Sequence, residues 1–171
     1  MTPEFSRPFR LDELGGAPRA VSIAAAENER AALAARFGLI GIERLQATAE
    51  LMREGDIVTA TGRLEADVTQ ACVASGEPVP AKIAEDFALR FVPAGAEPDA
   101  EEIELEESDL DEIGYEGGSV DLGEAAAQTM ALALDPFPRA ANADAKLREA
   151  GVMGEEDAGP FAALKALKDK L

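Results

Sequence analysis

The longest regular pattern in this chain is an alternation of apolar and polar positions. Leu45, Ala47, Ala49 and Leu51 alternate with Arg44, Gln46, Thr48 and Glu50. Val58, Ala60, Gly62, Leu64, Ala66 and Val68 alternate with Thr59, Thr61, Arg63, Glu65 and Asp67. Successive side chains of a strand point to opposite faces, so a period of two predicts two strands with one buried face each. Glu54-Gly55-Asp56 lies between them, and the whole reads as a long antiparallel hairpin. Gly62 interrupts the apolar set, where a glycine marks a bulge or the close approach of another backbone. After the turn Ser75-Gly76-Glu77-Pro78, a third strand places Ile83, Phe87, Leu89 and Phe91 on one face and ends at Pro93. Glu85 falls on that same face, so the early part of this strand is expected to bulge or to lie at an edge.

Other segments are shorter. Phe5 to Leu11 alternates, and Pro8 confines that strand to an edge. Ala20 to Ala24 reads as a short strand. Asn28 stands as N-cap to a helix over Glu29–Phe37, with Gly38 at the C-cap and Ala32, Leu33, Arg36 and Phe37 on one face. Asp121 opens the best helix, with Glu124 three residues on in the arrangement of a capping box. Its apolar face is Leu122, Ala125, Ala126, Thr129, Met130, Ala133 and Leu134, and Pro136 stops it. Residues 143–150 suit a short helix. From Pro160 a last helix aligns Phe161, Leu164, Leu167 and Leu171, with Lys165, Lys168 and Lys170 supplying most of its charge.

These elements predict an α+β fold. An antiparallel β-meander over residues 42–92 is covered on one face by the helices at 28–37 and 121–135, since a one-sided sheet needs a second layer. One domain spans residues 1–138, with an acidic loop over 94–118 in which Ile103 and Leu105 form an exposed strand. Residues 139–171 form a loosely attached helical tail.

Charge changes the picture most in the middle. From Phe91 to Pro138 there are 14 acidic residues and no lysine or arginine. Residues 1–90 hold 14 acidic and 10 basic groups, and residues 139–171 hold 6 of each, so the middle segment carries most of the net charge of -18. That field repels phosphate, and direct nucleic-acid binding draws its affinity from Lys and Arg. Direct binding of nucleic acid is therefore expected to be weak at most.

Histidine is absent and Cys72 is the single cysteine. Ser–His–Asp and Cys–His catalysis are excluded, an internal disulfide is impossible, and the N/S donors that zinc prefers are missing. No stretch has the spacing of a calcium-binding EF-hand loop. Asp121 and Glu124 read as caps rather than as an acid–base pair, and no other pair of carboxylates escapes a capping or solvation reading. No catalytic, cofactor or metal residue is assigned. Cys72 reads as a small strand residue, because no cluster of basic residues lies near it in sequence to lower its pKa. No apolar run is long enough for a membrane span, and Met1 to Leu14 lacks the apolar core of a secretory signal, which suits a bacterial-type cytoplasmic protein.

Three segments carry a family resemblance. The first is Thr69-Gln-Ala-Cys72-Val-Ala-Ser-Gly-Glu-Pro78-Val, followed by Ile83-Ala-Glu-Asp-Phe87-Ala-Leu-Arg-Phe91-Val-Pro93. The second is Val120-Asp121-Leu122-Gly-Glu124 leading into Leu132-Ala-Leu134-Asp135-Pro136-Phe137-Pro138. The third is Gly159-Pro160-Phe161-Ala-Ala-Leu164 with Leu167-Lys168. In this order, from about Leu45 to Leu171, they resemble the YceD-like family of bacterial proteins, the large ribosomal RNA subunit accumulation proteins. The resemblance implies a cytoplasmic, non-enzymatic factor that supports normal levels of large-subunit ribosomal RNA. Many members have a second Cys three residues after the first and further Cys near the Pro-rich end of the long helix, which suits zinc. Here Ser75 and Pro138-Arg-Ala-Ala-Asn142 stand at those places, so no structural zinc is expected.

The expected partner is a basic ribosomal or assembly protein. Opposite fields speed encounter and fix orientation. Glu101, Glu102, Glu104, Glu106 and Glu107 form the candidate contact surface, and Pro136, Phe137 and Pro138 form a candidate docking knob. The C-terminal helix is an alternative contact arm. The competing reading is a general acidic adaptor or chaperone-like module with no ribosomal role.

Overall fold

The computed structural model describes residues 2–95 and 110–152. The strand expected at Ile103 and Leu105, the helix from Pro160, and Glu101, Glu102, Glu104, Glu106 and Glu107 lie outside the described residues. The elements in chain order are β1 (Pro8–Arg10), a 3-10 turn (Leu11–Glu13), β2 (Arg19–Ala24), α1 (Glu27–Phe37), β3 (Gly41–Glu54), β4 (Ile57–Ala71), β5 (Pro78–Pro93), β6 (Asp111–Tyr115), β7 (Ser119–Asp121), α2 (Leu122–Leu132) and α3 (Ala143–Glu149). The fold is α+β. A five-stranded sheet has the order β2-β3-β4-β5-β6, and β1 pairs with β7 in a separate two-stranded ribbon.

The chain divides into two compact units. One comprises Met1–Gln70 and Pro80–Asp135, the other Ala71–Val79 and Pro136–Leu171.

In the first unit the hairpin follows the alternation closely. Leu45, Ala47, Ala49 and Leu51 face inward beside Val58, Ala60, Leu64, Ala66 and Val68, all buried. Glu54 pairs with Ile57, so the loop is Gly55-Asp56, and Gly55 has φ of +63°. A positive φ at the first of two loop residues suits a II′ hairpin turn. Gly62 marks close approach: a Cβ there would lie 2.0 Å from the Thr48 carbonyl oxygen and 2.7 Å from Ala49 Cα. The register shift of this pair falls instead between Ile42 and Arg44. On β5, Ile83, Phe87, Leu89 and Phe91 are buried and Glu85 is exposed.

α1 packs on β3. It begins two residues before the expected start. Ala26 is the N-cap, its N–H donates to the Glu29 carboxylate at 2.7 Å, and Asn28 sits inside the first turn. Glu29 is held in place by a bidentate pair with Arg7, at 2.7 and 2.9 Å, and this moves the start of the helix. Gly38 closes α1 with φ of +67°. The buried pair is Leu33 and Ala34, with Phe37 half-buried, whereas Arg36 turns outward to Glu4 and Glu124.

Asp121 caps α2. Its Oδ1 accepts from the N–H groups of Gly123 at 3.0 Å and Glu124 at 3.1 Å, and also from Arg7 N–H at 2.8 Å. Its Oδ2 accepts from Ser6 Oγ at 2.5 Å. Glu124 does not complete a capping box, because its carboxylate pairs with Arg36 at 2.8 Å. The helix ends at Leu132, short of Pro136. Ala133 N–H is shared between the Thr129 and Met130 carbonyls, the tightening common in a last turn. Leu122, Ala125, Ala126, Ala127 and Met130 are buried in the same core as the sheet.

The acidic loop expected over 94–118 needs correction. β6 runs parallel to β5, with Leu89 opposite Asp111 and Pro93 opposite Tyr115, and β7 follows it. Ile113 and Tyr115 alternate with Glu112 and Gly114 and pack against the core. A two-residue apolar alternation was enough to recruit the end of an otherwise acidic run, so the sheet is an antiparallel meander with one parallel edge. β1 is also shorter than the alternation of Phe5 to Leu11 implied.

In the second unit a tight turn joins β4 to β5. Cys72 N–H donates to Glu77 O, and Gly76 N–H to Cys72 O, each at 2.8 Å. Val73 N–H donates to Pro138 O at 2.9 Å, and Lys146 pairs with Glu77 at 3.6 Å. α3 forms close to where it was expected.

Candidate partner-binding surface

Charge on the described body is arranged so that few cations face solvent unmatched. Arg7, Arg10, Arg19, Arg36, Arg44, Arg63, Arg90, Arg139 and Lys146 each pair with a carboxylate. Arg30 and Arg53 donate to backbone carbonyls. Among the described residues only Lys82 and Arg148 lack such a partner. Arg36 lies between Glu4 and Glu124, and the hydrogen bonds it donates to Glu124 foremost raise its pKa. The hydrogen bond from Arg7 is the main reason Glu29 sits below the usual carboxylate value.

Many carboxylates, by contrast, are open. Glu27, Glu50, Glu54, Asp56, Glu85 and Glu116 are exposed and make no ion pair among the described residues. Glu54 precedes the hairpin turn and Asp56 lies in it, where Tyr115 Oη donates to Asp56 O at 2.7 Å. Tyr115 ends β6 opposite Pro93, and Glu116 follows it. The described residues therefore place open carboxylates at the end of the sheet where Pro93 lies opposite Tyr115.

The three residues of the docking knob separate in the structure. Phe137 is 73% exposed, Pro136 is exposed, and Pro138 is buried with its carbonyl bonded to Val73. A rigid proline thus holds an outward aromatic.

Cys72 differs from its sequence reading. It lies just past the end of β4, buried, and its Sγ accepts from Ala140 N–H at 3.3 Å. That amide, then Ser75 and Ala74, lower its pKa from 9.0 to about 7. No cation is involved: the largest cause is an amide 68 residues away, and the others are the Ser75 hydroxyl and the neighbouring Ser75 and Ala74 amides.

The second unit brings Cys72, Ser75 and the 138–142 segment together, the places where zinc ligands are implied in other members. These residues do not fit zinc. They offer one thiolate, already accepting an amide hydrogen, and no second sulfur or imidazole. Among the described residues no three of His, Cys, Asp or Glu gather as a metal group. No described helix is long and apolar enough to cross a membrane.

The described residues form an acidic α+β scaffold that presents open carboxylates and an exposed aromatic. A family model, large ribosomal RNA subunit accumulation protein YceD, matches residues 60–168, and the chain belongs to that family. Nothing among the curated proteins or the solved structures matches it. The family is named for a ribosomal RNA accumulation role, not for an enzymatic activity.

Proposed function

We propose that this chain supports accumulation of large-subunit ribosomal RNA without catalysis, by holding a basic ribosomal or assembly protein on its acidic surface. Family membership over residues 60–168 carries the ribosomal half of this reading. Its partner half is supported by the pairing of the described cations, which leaves Lys82 and Arg148 as poor means of gripping phosphate while carboxylates stay open. Contact uses Glu101, Glu102, Glu104, Glu106 and Glu107 for the field and Phe137 for an apolar anchor. The action is cytoplasmic, on assembling particles.

Two measurements test it. Depleting the protein should lower large-subunit relative to small-subunit ribosomal RNA; an unchanged ratio favours the general acidic adaptor. Changing the five glutamates to glutamine together should weaken association with large-subunit precursors and flatten its salt dependence, because steering by opposite fields falls with ionic strength. Association that is unchanged at low salt removes the acidic-contact mechanism.

A further inference from the structure

We propose that the free edge of β2 between Ala20 and Ser22, with the trough beside it, takes up an extended basic segment of a partner protein as an added strand. The inference rests on the reading that the partner is basic, and it adds where and in what conformation that partner binds.

β2 is an outer strand whose neighbour in the sheet is β3. Ala25 N–H donates to Leu45 O at 2.9 Å, continuing the β2–β3 register. Bonded and non-bonded pairs alternate along an antiparallel ladder. Val21 and Ile23 therefore aim their backbone groups at β3, and Ala20, Ser22 and Ala24 aim theirs away. The outward carbonyl of Ala24 is taken by Arg7 Nη2 at 2.9 Å. The outward groups of Ala20 and Ser22 have no partner among the described residues, and both residues are exposed. The other end of the strip is flanked by Arg19, which pairs with Glu13 at 3.5 Å and lies over the Phe9 ring. A short window bounded by charged side chains limits self-association, as edge strands require, yet still offers main-chain bonds.

The face behind the window favours a cation. Ala20, Glu50 and Thr61 form one cross-strand row, and Ser22, Thr48 and Arg63 form the next; all six line the trough. In the second row charge is matched, since Arg63 pairs with Asp86 at 2.8 Å. In the first, Glu50 has no ion pair among the described residues. A side chain opposite Ala20 on an added strand crosses only a methyl group before it meets Glu50. Two strand spacings are about 10 Å, within the joint reach of Arg and Glu side chains.

The test titrates the peptide acetyl-Arg-Val-Arg-Val-Arg-amide into the isotope-labelled full chain and follows backbone amides by NMR. Ala20 and Ser22 amides should shift and gain protection from exchange. Ser22→Pro removes an outward N–H while leaving the β2–β3 ladder bonds, and should weaken binding roughly tenfold. Glu50→Gln, which leaves the backbone untouched should Ser22→Pro unfold, should weaken it about threefold. Three results of the titration overturn the proposal. They are no binding, shifts spread over the carboxylates with Ala20 and Ser22 unmoved, and an affinity indifferent to Glu50→Gln. Concentration-dependent shifts of Ala20 and Ser22 without peptide would overturn it too, by giving the edge to a second copy. None of these outcomes touches the ribosomal reading, which is judged separately by the ribosomal RNA ratio and the five-glutamate variant.

Discussion

The hairpin of β3 and β4 buries Leu45, Leu51, Val58, Leu64 and Val68 to 1% exposure or less. Of the unit Ala71–Val79 and Pro136–Leu171, only Cys72, Pro138 and Ala143 are buried among the described residues. The first region is held by apolar area, at about 1.5–3 kcal/mol for each large aliphatic side chain. The described residues of the second are joined by single donors and acceptors: Cys72 to Glu77, Gly76 to Cys72, Val73 to Pro138 and Ala140 to the Cys72 sulfur. Volume should therefore decide what the first region tolerates, and hydrogen-bond chemistry what the second does.

The largest effect is expected at Gly62. A Cβ 2.0 Å from the Thr48 carbonyl oxygen meets backbone, which does not swing aside as a side-chain tip does. Gly62→Ala should cost about 3 kcal/mol, at the upper end for overpacking, and lower the urea midpoint of the whole first unit. A loss below about 1 kcal/mol would mean that the strands part freely there.

Next comes Asp121. One carboxylate caps α2 and ties down Ser6 and Arg7, so Asp121→Ala should cost about 2 kcal/mol, the upper range for a cap. Asp121→Asn keeps an acceptor for the amides and should recover part of it. Equal losses in a thermal melt would show that the pairing with the Ser6 hydroxyl, rather than the cap, matters most.

These residues also show why some features were legible in the sequence and others were not. The hairpin was readable because period two and burial coincide over both strands. Asp121 was readable because a cap acts within three residues. β6 was hidden because Asp111 and Glu112 marked the segment as solvated, while what placed it was Ile113 and Tyr115 against a core made elsewhere. The start of α1 was misplaced because Glu29 is fixed by Arg7, 22 residues away. On the surface, the glutamates and Phe137 were visible as composition, but the open edge at Ala20 and Ser22 was not, since strand order is not written in one strand.

In the second region, pH provides the sharper probe. The folded pKa of Cys72 is about 7, below the ordinary 9.0. Stabilisation from the thiolate is therefore complete above about pH 9 and is lost as pH falls through about 7. Opening of this unit, read from exchange of the Val73 and Ala140 amides after correction for intrinsic rate, should become rarer between pH 6.5 and 9. Cys72→Ser should abolish that trend and leave the hairpin amides unchanged. A trend that persists in the variant would assign it to another group.

Phe137 should matter least to stability. At 73% exposed it has little burial to lose, so Phe137→Ala should change stability by less than about 0.5 kcal/mol. Its value to the comparison lies in binding. An aromatic beside buried Pro138 has little backbone freedom left to lose on docking, and such anchors dominate interfaces when a partner desolvates them. If the second region serves mainly to present this ring, Phe137→Ala should leave both units intact and weaken association with large-subunit precursors about tenfold. Unchanged association would leave contact to the carboxylates alone. It would then have the salt dependence of a purely electrostatic encounter, and the five-glutamate variant should abolish what Phe137→Ala spared.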